Sequence, residues 1–315
     1  MNTLSFLVVG CGRMGKIRAA ALQALGARIA YALDSDPARA QALAEYDADL
    51  QPLTDLGAVD WARIDGVFVC TPPGCRGEVE YLAREQRKPL FVEKPLHTSL
   101  QRAGELLGLF AQSELPVGVG YMNRYRESVR RVRALLPTLE VIGFQGRWVC
   151  KPYAVPWWSD RALSGGALNE QATHLVDLVR FLMGEVGSVA AYRRQARSGS
   201  SESVCVALDL QAGITGSLLY SCSGCEKDIG LQIFTDRGTI GLAGWDFAPD
   251  SPAFPELAAD KKSEDVFLVE TACFLESVRS GSSELLASTL EDAYLTQLTI
   301  DRIARSIAGE RMVSV

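Results

Sequence analysis

Histidine is scarce in this sequence, with two residues among 315, and long apolar runs are missing. The first apolar run, residues 6–9, is far too short for a signal-peptide core. No later stretch reaches the roughly 18 uncharged apolar residues that a membrane span needs. We therefore expect no membrane association and a cytoplasmic protein.

An excess of positive charge is also missing, because 32 Lys and Arg residues face 38 Asp and Glu residues, for a net charge of -6. Nucleic acids and anionic membranes are bound by clustered Lys and Arg, so neither is an expected partner. The eight cysteines are scattered, which is typical of reduced thiols. Cys222 and Cys225 have no second pair at zinc-site spacing, and no set of three or four ligands predicts a metal.

The sequence length favours two domains, because 315 residues exceed the size at which a single hydrophobic core usually keeps growing. In the first part, short apolar runs alternate with helical patterns, which predicts a parallel sheet covered by helices on both faces. We place this doubly wound α/β domain at residues 1–120. The predicted strands are 4–9, 28–33, 67–70, 90–92 and 117–119, and the predicted helices are 16–25, 39–45, 75–85 and 99–112.

The second part, residues 121–315, has a different pattern, in which several strands follow one another through short turns. Such succession is typical of antiparallel sheets, so an α+β domain with a largely antiparallel open sheet is predicted. Its predicted strands are 140–150, 188–197, 203–210, 215–221 and 230–234, and its helices are 128–136, 168–183, 266–280 and 290–307. We expect the last helix to pack back on the first domain.

A glycine-rich turn, GCGRMG at residues 10–15, follows the first predicted strand and opens a helix. In dinucleotide-binding turns the first glycine permits the tight turn, the second lets the backbone approach a pyrophosphate, and the third lets helix and strand pack closely. A glycine-rich turn without a ligand is the alternative. The candidate cofactor contacts in this turn are Gly10, Gly12, Arg13, Met14 and Gly15.

An acidic residue, Asp34, ends the second predicted strand, where it can hydrogen-bond the hydroxyls of the adenosine ribose. It is followed by Ser35 and Asp36, with no Arg or Lys to hold a 2'-phosphate. NAD is therefore favoured over NADP as the cofactor.

Further motifs follow the later strands and open the long helix of the second part. In their order and spacing they resemble the glucose-fructose oxidoreductase, inositol dehydrogenase and MocA-like family over nearly the whole chain. The resemblance implies a Rossmann domain followed by an α+β domain whose open sheet serves subunit association, and hence a homo-oligomer, a dimer or tetramer. The motifs are Thr71-Pro72-Pro73, Glu93-Lys94-Pro95, the segment 120–125 (GYMNRY) and the segment 165–177 (GGALNEQATHLVD).

The same resemblance implies roles for individual residues. In that family the lysine of the Glu-Lys-Pro element lies beside the nicotinamide, and an acidic residue and a histidine of the second domain complete the catalytic group. Lys94, Glu170 and His174 occupy these positions, and the Lys94–Pro95 bond is expected to be cis. Many members have Asp at position 170 and Gly at position 172, where this chain has Glu and Ala; both departures bear on the substrate. Thr71, Pro72 and Glu93 are further expected cofactor contacts.

The residue types also suit the chemistry by themselves. Hydride transfer from an alcohol carbon needs a base for the hydroxyl proton and positive charge near the developing alkoxide. Glu170, His174 and Asp177 are spaced to share one stripe of a helix, so a carboxylate can orient the imidazole. Lys94 follows a buried strand, at the edge where doubly wound sheets bind ligands, although a surface lysine is the alternative. His97, three residues further on, is expected to be structural or solvated.

Substrate contacts are expected from two segments. Tyr121, Asn123 and Arg124 follow the last strand of the first sheet and either bind the substrate or merely link the domains. Lys151, Tyr153, Trp157 and Trp158 precede the Gly-Gly element, and aromatic faces beside polar groups suit a sugar or cyclitol as well as they suit core filling. Asp177 is included among the candidate substrate contacts.

The predicted function is that of a nicotinamide-dependent dehydrogenase or ketoreductase acting on a secondary alcohol or ketone of a sugar, sugar derivative or cyclitol. One alternative is an imine or tetrapyrrole-like reductase of the same family. Another is a regulator that binds NAD and performs no chemistry. The identity of the substrate and the direction of the reaction are left open by the sequence.

Overall fold

The computed structural model describes residues 3–195, 202–258, 265–309 and 313–314. By their contacts the residues divide into two units. One comprises Met1–Met122 and Asp265–Tyr294, and the other comprises Asn123–Glu264 and Leu295–Val315. Within the described residues, no helix combines the length and the apolar character that crossing a bilayer requires.

The first unit contains a six-stranded parallel sheet in the order β3-β2-β1-β4-β5-β6. The doubly wound prediction is confirmed. Sequence reasoning missed β3, an edge strand of three residues with Pro52 at its centre, and proline is tolerated in sheets mainly at edges. The elements are β1 (Ser5–Val9), α1 (Arg13–Ala24), β2 (Arg28–Leu33), α2 (Pro37–Ala42), β3 (Gln51–Leu53), β4 (Gly66–Val69), α3 (Glu78–Glu85), β5 (Leu90–Val92), α4 (Leu100–Phe110) and β6 (Val117–Val119).

The rest of the chain supplies an eight-stranded sheet in the order β13-β12-β11-β7-β10-β9-β8-β14. Among the strand pairs of the described residues in this sheet, only β7–β10 is parallel, so the largely antiparallel prediction is confirmed. The elements are α5 (Glu127–Leu135), β7 (Val141–Val149), α6 (Pro156–Ser159), α7 (Arg161–Ser164), α8 (Thr173–Met183), β8 (Val186–Gln195), β9 (Glu202–Leu210), β10 (Thr215–Ser221), β11 (Asp228–Thr235), β12 (Gly238–Ala243), β13 (Ala248–Pro249), α9 (Val266–Ser280), α10 (Leu290–Ile307) and β14 (Val313–Ser314).

Two differences from the predicted strands have clear origins. The predicted strand 188–197 is observed as β8, and residues 196–197 lie outside the described residues. β12 was not predicted because two glycines interrupt its apolar pattern. One of them is required, since a Cβ at Gly241 would lie 2.3 Å from the carbonyl oxygen of Asp250.

Helix α9 packs into the first unit. Phe274 of α9 forms edge-on ring contacts with Phe68 and Phe91, at centroid distances of 5.1 and 5.4 Å. Leu290 and Ala293, from the first turn of α10, are buried in a core of the same unit. The hydrophobic core of the first unit therefore includes residues that lie more than 140 positions after the last strand of its sheet.

The second sheet buries one face and exposes the other. β9 shows this most simply, because its residues alternate between buried and exposed positions from Val204 onward. The buried face packs with α8, all of whose residues are buried. The opposite face carries apolar side chains in the open: Ile142, Tyr192, Leu219 and Phe234 are 64%, 80%, 43% and 37% exposed.

Candidate functional site

The glycines of the turn between β1 and α1 differ in their surroundings: Gly10 and Gly15 are closely packed, and Gly12 is not. A Cβ at Gly10, where φ is +84°, would lie 2.7 Å from the backbone nitrogen of Thr71, and a Cβ at Gly15 would lie 2.2 Å from the carbonyl oxygen of Gly10. Apart from its neighbours along the chain, a Cβ at Gly12 would meet no atom of the described residues within 4 Å. Gly12 is also the N-cap of α1 and forms no side-chain cap. Open space therefore lies before the N–H groups of a helix start, which fits a pyrophosphate.

Asp34, directly after β2, is held by the backbone. Its Oδ2 accepts a hydrogen bond from the N–H of Cys11 at 2.8 Å, and its Oδ1 accepts one from the N–H of Asp36 at 2.9 Å. A carboxylate oxygen has two acceptor sites, so each oxygen can still accept a ribose hydroxyl. The first turn of α1 places Arg13 in an exposed position and Met14 in a half-buried one.

The loops after β4 and β5 carry the next group of candidates. Thr71 and Pro72 are half-buried, and the Thr71 Oγ1 atom is buried with no hydrogen-bond partner among the described residues. Lys94 is half-buried, and the Lys94–Pro95 peptide bond is cis, as the resemblance implies. These polar groups lie at the carboxyl ends of neighbouring parallel strands, where open α/β sheets bind ligands.

Glu93, a predicted cofactor contact, lies inside the first unit. It is 5% exposed, and its carboxylate pairs with Arg18 of α1 at 2.7 Å. A Cβ at Gly120 would lie 2.6 Å from the Glu93 Oε2 atom, so a side chain at position 120 would displace the Glu93 carboxylate. Arg18 also pairs with Glu270 of α9 at 2.5 Å. Burial alone would lower the pKa of Arg18, but Glu93 and Glu270 raise it above its ordinary value. Removing one member of such a buried network typically costs about 3–5 kcal/mol.

His97 is buried, and its Nδ1 accepts a hydrogen bond from the N–H of Thr98 at 2.8 Å. Burial and then the charge of Arg76 lower the pKa of His97 to about 4. The ring is therefore neutral at pH 7. Arg76, which sequence reasoning missed, lies in the same region and donates hydrogen bonds to the loops after β4 and β5.

In the second unit, Glu170 lies in a π-helix, Leu168–Ala172, that runs directly into α8. The sequence predicted one regular helix over 168–183, and the π-turn was missed because no periodicity marks it. Two glycines with positive φ, Gly165 at +75° and Gly166 at +94°, follow α7 and precede this segment. π-turns recur at functional sites because they change the direction in which side chains point.

The acidic candidates of this segment have partners on other elements. The Oε2 atom of Glu170 accepts a hydrogen bond from the indole N–H of Trp158 at 3.0 Å. Asp177 is 1% exposed, and its carboxylate accepts hydrogen bonds from Nε and one terminal nitrogen of Arg124, at 2.8–3.2 Å. The hydroxyl of Thr296 donates a further hydrogen bond to Asp177 at 3.1 Å.

The imidazole of His174 stacks on an indole that sequence reasoning did not single out. The ring centroids of His174 and Trp148 are 5.0 Å apart and the ring planes differ by 8°. The indole of Trp245 contacts the indole of Trp148 edge-on, at a centroid distance of 6.1 Å. Both rings of the stack are buried. A buried imidazole with a fixed ring plane is suited to proton transfer.

The remaining substrate candidates have different environments. Tyr121 is buried in the first unit, and Asn123 is buried in the second, where its Oδ1 accepts a hydrogen bond from Arg126 at 2.8 Å. Trp157 is half-buried against the core of the second unit. Lys151 is exposed at a cavity of about 360 Å³, together with Tyr153, Cys225 and Lys227.

The eight cysteines are free thiols. Across the described part of the chain, no group of three or more His, Cys, Asp and Glu side chains has the arrangement that a metal ion needs.

Comparison with known families gives two matches along this chain. Residues 4–121 match a model described as "Oxidoreductase family, NAD-binding Rossmann fold". Residues 139–241 match a model of the GFO/IDH/MocA C-terminal domain.

Curated relatives include dehydrogenases of one kind. The chain is 24% identical over 344 residues to inositol 2-dehydrogenase of Rhizobium meliloti (strain 1021), covering 99% of each chain. It is 30% identical over 259 residues to inositol 2-dehydrogenase 2 of Mycolicibacterium vanbaalenii, covering 77% of this chain and 74% of the relative.

Solved structures share the fold. Levoglucosan dehydrogenase in complex with NADH superimposes with a TM-score of 0.85 at 19% identity, covering 100% of this chain and 99% of the other. The WlbA dehydrogenase of Bordetella pertussis, in complex with NADH and UDP-GlcNAcA, gives 0.85 at 20% identity over 100% and 99% of the two chains. At these identities the likeness concerns the fold alone.

Proposed function

This chain belongs to the GFO/IDH/MocA family of NAD-binding oxidoreductases, and we propose that it transfers hydride between NAD and a secondary alcohol or ketone of a cyclitol or sugar. The observation that carries this proposal is the buried imidazole of His174, stacked on Trp148 in a chain with an open glycine turn at Gly12. The names of the inositol dehydrogenase relatives support the substrate class. We assign cofactor binding to residues 1–120 and substrate binding to residues 121–315.

The residues that would hold the dinucleotide are those of the glycine turn, Asp34, Thr71, Pro72 and Lys94. The open space at Gly12 fits the pyrophosphate, and the backbone-held carboxylate of Asp34 fits the ribose hydroxyls. When bound, NAD supplies the hydride acceptor for the alcohol carbon. Glu93 contributes indirectly, because its pairing with Arg18 anchors the strand end from which Lys94 extends.

In the oxidation direction, His174 accepts the proton of the substrate hydroxyl while the carbon that bears this hydroxyl loses a hydride. Lys94 stabilises the negative charge that develops on that oxygen. The products are a ketone, the reduced cofactor and a proton, so atoms and electrons balance. Glu170, fixed by Trp158, orients the substrate hydroxyls or the imidazole. Arg124 and Asp177 form an ion pair with each other. Their proposed role is to hold α8, the helix that carries His174, in place.

The proposal is tested with the purified protein and a panel of inositols, other polyols, keto-sugars and cyclic imines, followed by NADH absorbance. We expect turnover with a cyclitol or sugar, and a loss of about 100-fold or more in kcat for Lys94→Ala and His174→Ala. Turnover of imines alone would favour the reductase alternative. Tight NADH binding without any turnover would favour the regulator. Full activity of either alanine variant would disprove the proposed mechanism.

We propose NAD as the preferred cofactor. A 2'-phosphate at the adenosine ribose would approach the carboxylates of Asp34 and Asp36, and the neighbouring Arg39 is paired with Asp36 at 3.4 Å. Titration with both cofactors tests this preference, and a lower dissociation constant for NADP would contradict it. The cytoplasmic location stays a prediction.

We also propose a homo-oligomer, a dimer or tetramer, formed through the open face of the second sheet. Tyr192, Cys205 and Leu219 lie opposite one another across β8, β9 and β10, and all three are exposed. Ile142 and Phe234 are exposed on the same sheet. Exposed apolar side chains clustered on one sheet face commonly mark a protein interface.

A further inference from the structure

Arg76 lies between the end of β4 and the start of α3 and ties two loops together. Its Nη2 donates a hydrogen bond to the carbonyl oxygen of Thr71 at 3.1 Å. Its Nη1 donates to the carbonyl oxygen of Leu96 at 3.0 Å and also to that of Pro95. One guanidinium therefore serves three backbone carbonyls, one in the loop after β4 and two in the loop after β5.

The position of these carbonyls explains why such a link is needed. β4 pairs with β5 only as far as Val69 and Val92, so the loops beyond have left the hydrogen-bond ladder of the sheet. Neighbouring strands are about 4.8 Å apart, a span that a planar guanidinium can bridge through its two terminal nitrogens. A lysine ammonium carries its three donors on one nitrogen and cannot reproduce this fork of two separated terminal nitrogens. Arg76 thus continues the pairing of the two strands past their ends.

Burial and two nearby carboxylates act in opposite directions on the charge of the guanidinium. Burial lowers the pKa of Arg76, while the carboxylates of Glu80 and Glu93 oppose this shift. Glu80 is itself buried, and its Oε2 accepts a hydrogen bond from the N–H of Gly77 at 2.7 Å, at the start of α3. The carboxylates of Glu80 and Glu93 thus offset part of the cost of burying the positive charge of Arg76.

We propose that Arg76 is a positioning residue for hydride transfer, acting through Lys94. By holding the carbonyls of Pro95 and Leu96 against that of Thr71, it fixes the loop that carries Lys94 relative to the loop that carries Thr71 and Pro72. This inference rests on the proposed function only for its effect on turnover. The restraint on the loops is independent of the substrate.

A double-mutant cycle with Arg76→Lys and Lys94→Ala tests whether Arg76 acts through Lys94. In the otherwise unaltered protein, Arg76→Lys should lower kcat on the order of tenfold, since small displacements of a catalytic group are costly. In the Lys94→Ala background the same change should alter kcat by less than about twofold, because coupled residues are non-additive. Equal effects in the two backgrounds, or full activity of Arg76→Lys, would overturn the proposal.

Arg28→Lys is a matched control within the same unit. Arg28 begins β2, at the opposite edge of the sheet from the Lys94 loop, and it also makes three side-chain hydrogen bonds, to Asp47 and Asp49. The control variant should keep kcat within about twofold of the unaltered protein in both backgrounds. A tenfold loss of kcat in Arg28→Lys would mean that any loss of arginine in this unit reduces activity, and would refute a specific role for Arg76.

Hydrogen exchange measured by mass spectrometry decides the inference without any substrate. Amides of the segments 71–76 and 94–98 should exchange faster in Arg76→Lys, and those of β1 and β2 should be unchanged. If Arg76→Lys fails to fold, Arg76→Gln, which keeps one amide donor, takes its place in both experiments. Unchanged exchange in both segments overturns the proposal. Faster exchange in a protein that turns over no polyol would support the restraint while contradicting the proposed function.

Discussion

The stacking of His174 on Trp148 gives the imidazole a fixed plane within the second unit. Ring planes that differ by only 8° at a centroid separation of 5.0 Å place the aromatic face directly against the imidazole. Trp148 is itself braced edge-on by Trp245. The stack therefore helps to orient the proposed base.

Replacing Trp148 should impair turnover more than substrate binding. We expect Trp148→Leu to lower kcat on the order of tenfold, because the imidazole loses its fixed plane, with a smaller change in KM. Trp148→Phe keeps an aromatic face and should keep most of the activity. Steady-state kinetics with the best substrate measure both effects.

Trp61→Leu is the control, because Trp61 lies at the edge of a core of the first unit. It should leave kcat near that of the unaltered protein. A Trp148→Leu protein with unaltered kcat would mean that the stack plays no part in catalysis.

The sequence could predict that Trp148 is buried but not what it touches. Its place in the apolar alternation of β7 indicates an inward position. Its partner lies 26 residues further on, past two short helices and a π-helix, and no local pattern records that contact. Arg76 was missed for a similar reason, since its hydrogen bonds go to backbone carbonyls of another loop.

In the turn between β1 and α1, a glycine can be needed for close packing or for the approach of a ligand, and Gly15 and Gly12 differ in this respect. Gly15 has no room for a side chain because the carbonyl of Gly10 would be 2.2 Å from its Cβ. Gly12 has room on the protein side and a φ of -75°, which any residue adopts. Gly15 is thus required by the packing of helix on strand, whereas no packing contact of the described residues requires glycine at position 12, where the proposed requirement is the approach of a ligand.

Alanine at these two positions should have different effects. Gly15→Ala should lower the free energy of unfolding by about 1–3 kcal/mol or more, through overpacking. Gly12→Ala should change it by less than about 1 kcal/mol while raising the dissociation constant of NADH about tenfold or more through a clash with the pyrophosphate. Denaturant unfolding and NADH fluorescence titration give the two quantities. Unaltered NADH affinity in Gly12→Ala would contradict the placement of the pyrophosphate.

Most helices and strands could be predicted because their residues carry the periodicity of the structure they form. The parallel strands read as continuous apolar runs, and both long C-terminal helices were predicted with the bounds observed for α9 and α10. Local pattern fails where distant contacts decide. The edge strand β3 pairs on one side only, and the π-helix at Glu170 follows two glycines whose left-handed φ the sequence permits but does not specify.

For the molecule as a whole, the notable feature is that the exposed face of the second sheet carries apolar side chains. An antiparallel sheet with one face in water normally carries polar residues there, as the alternation of β9 shows in part. Tyr192 is instead 80% exposed and Leu219 43% exposed, on a chain with a net charge of only -6. Covering this face with a second copy would remove apolar surface from water at about 25 cal/mol per Å².

Introducing charge into this face should therefore dissociate the oligomer without harming the fold. We expect the unaltered protein to be a dimer or tetramer by light scattering after size-exclusion chromatography, and the double variant Tyr192→Asp with Leu219→Asp to be smaller, since two buried carboxylates per copy would lose hydration. Tyr81→Asp is the matched control, because Tyr81 is 55% exposed on α3, in the other unit, and should keep the mass of the unaltered protein. A monomeric unaltered protein, or a double variant of unchanged mass, would show that copies of the chain do not associate through this face.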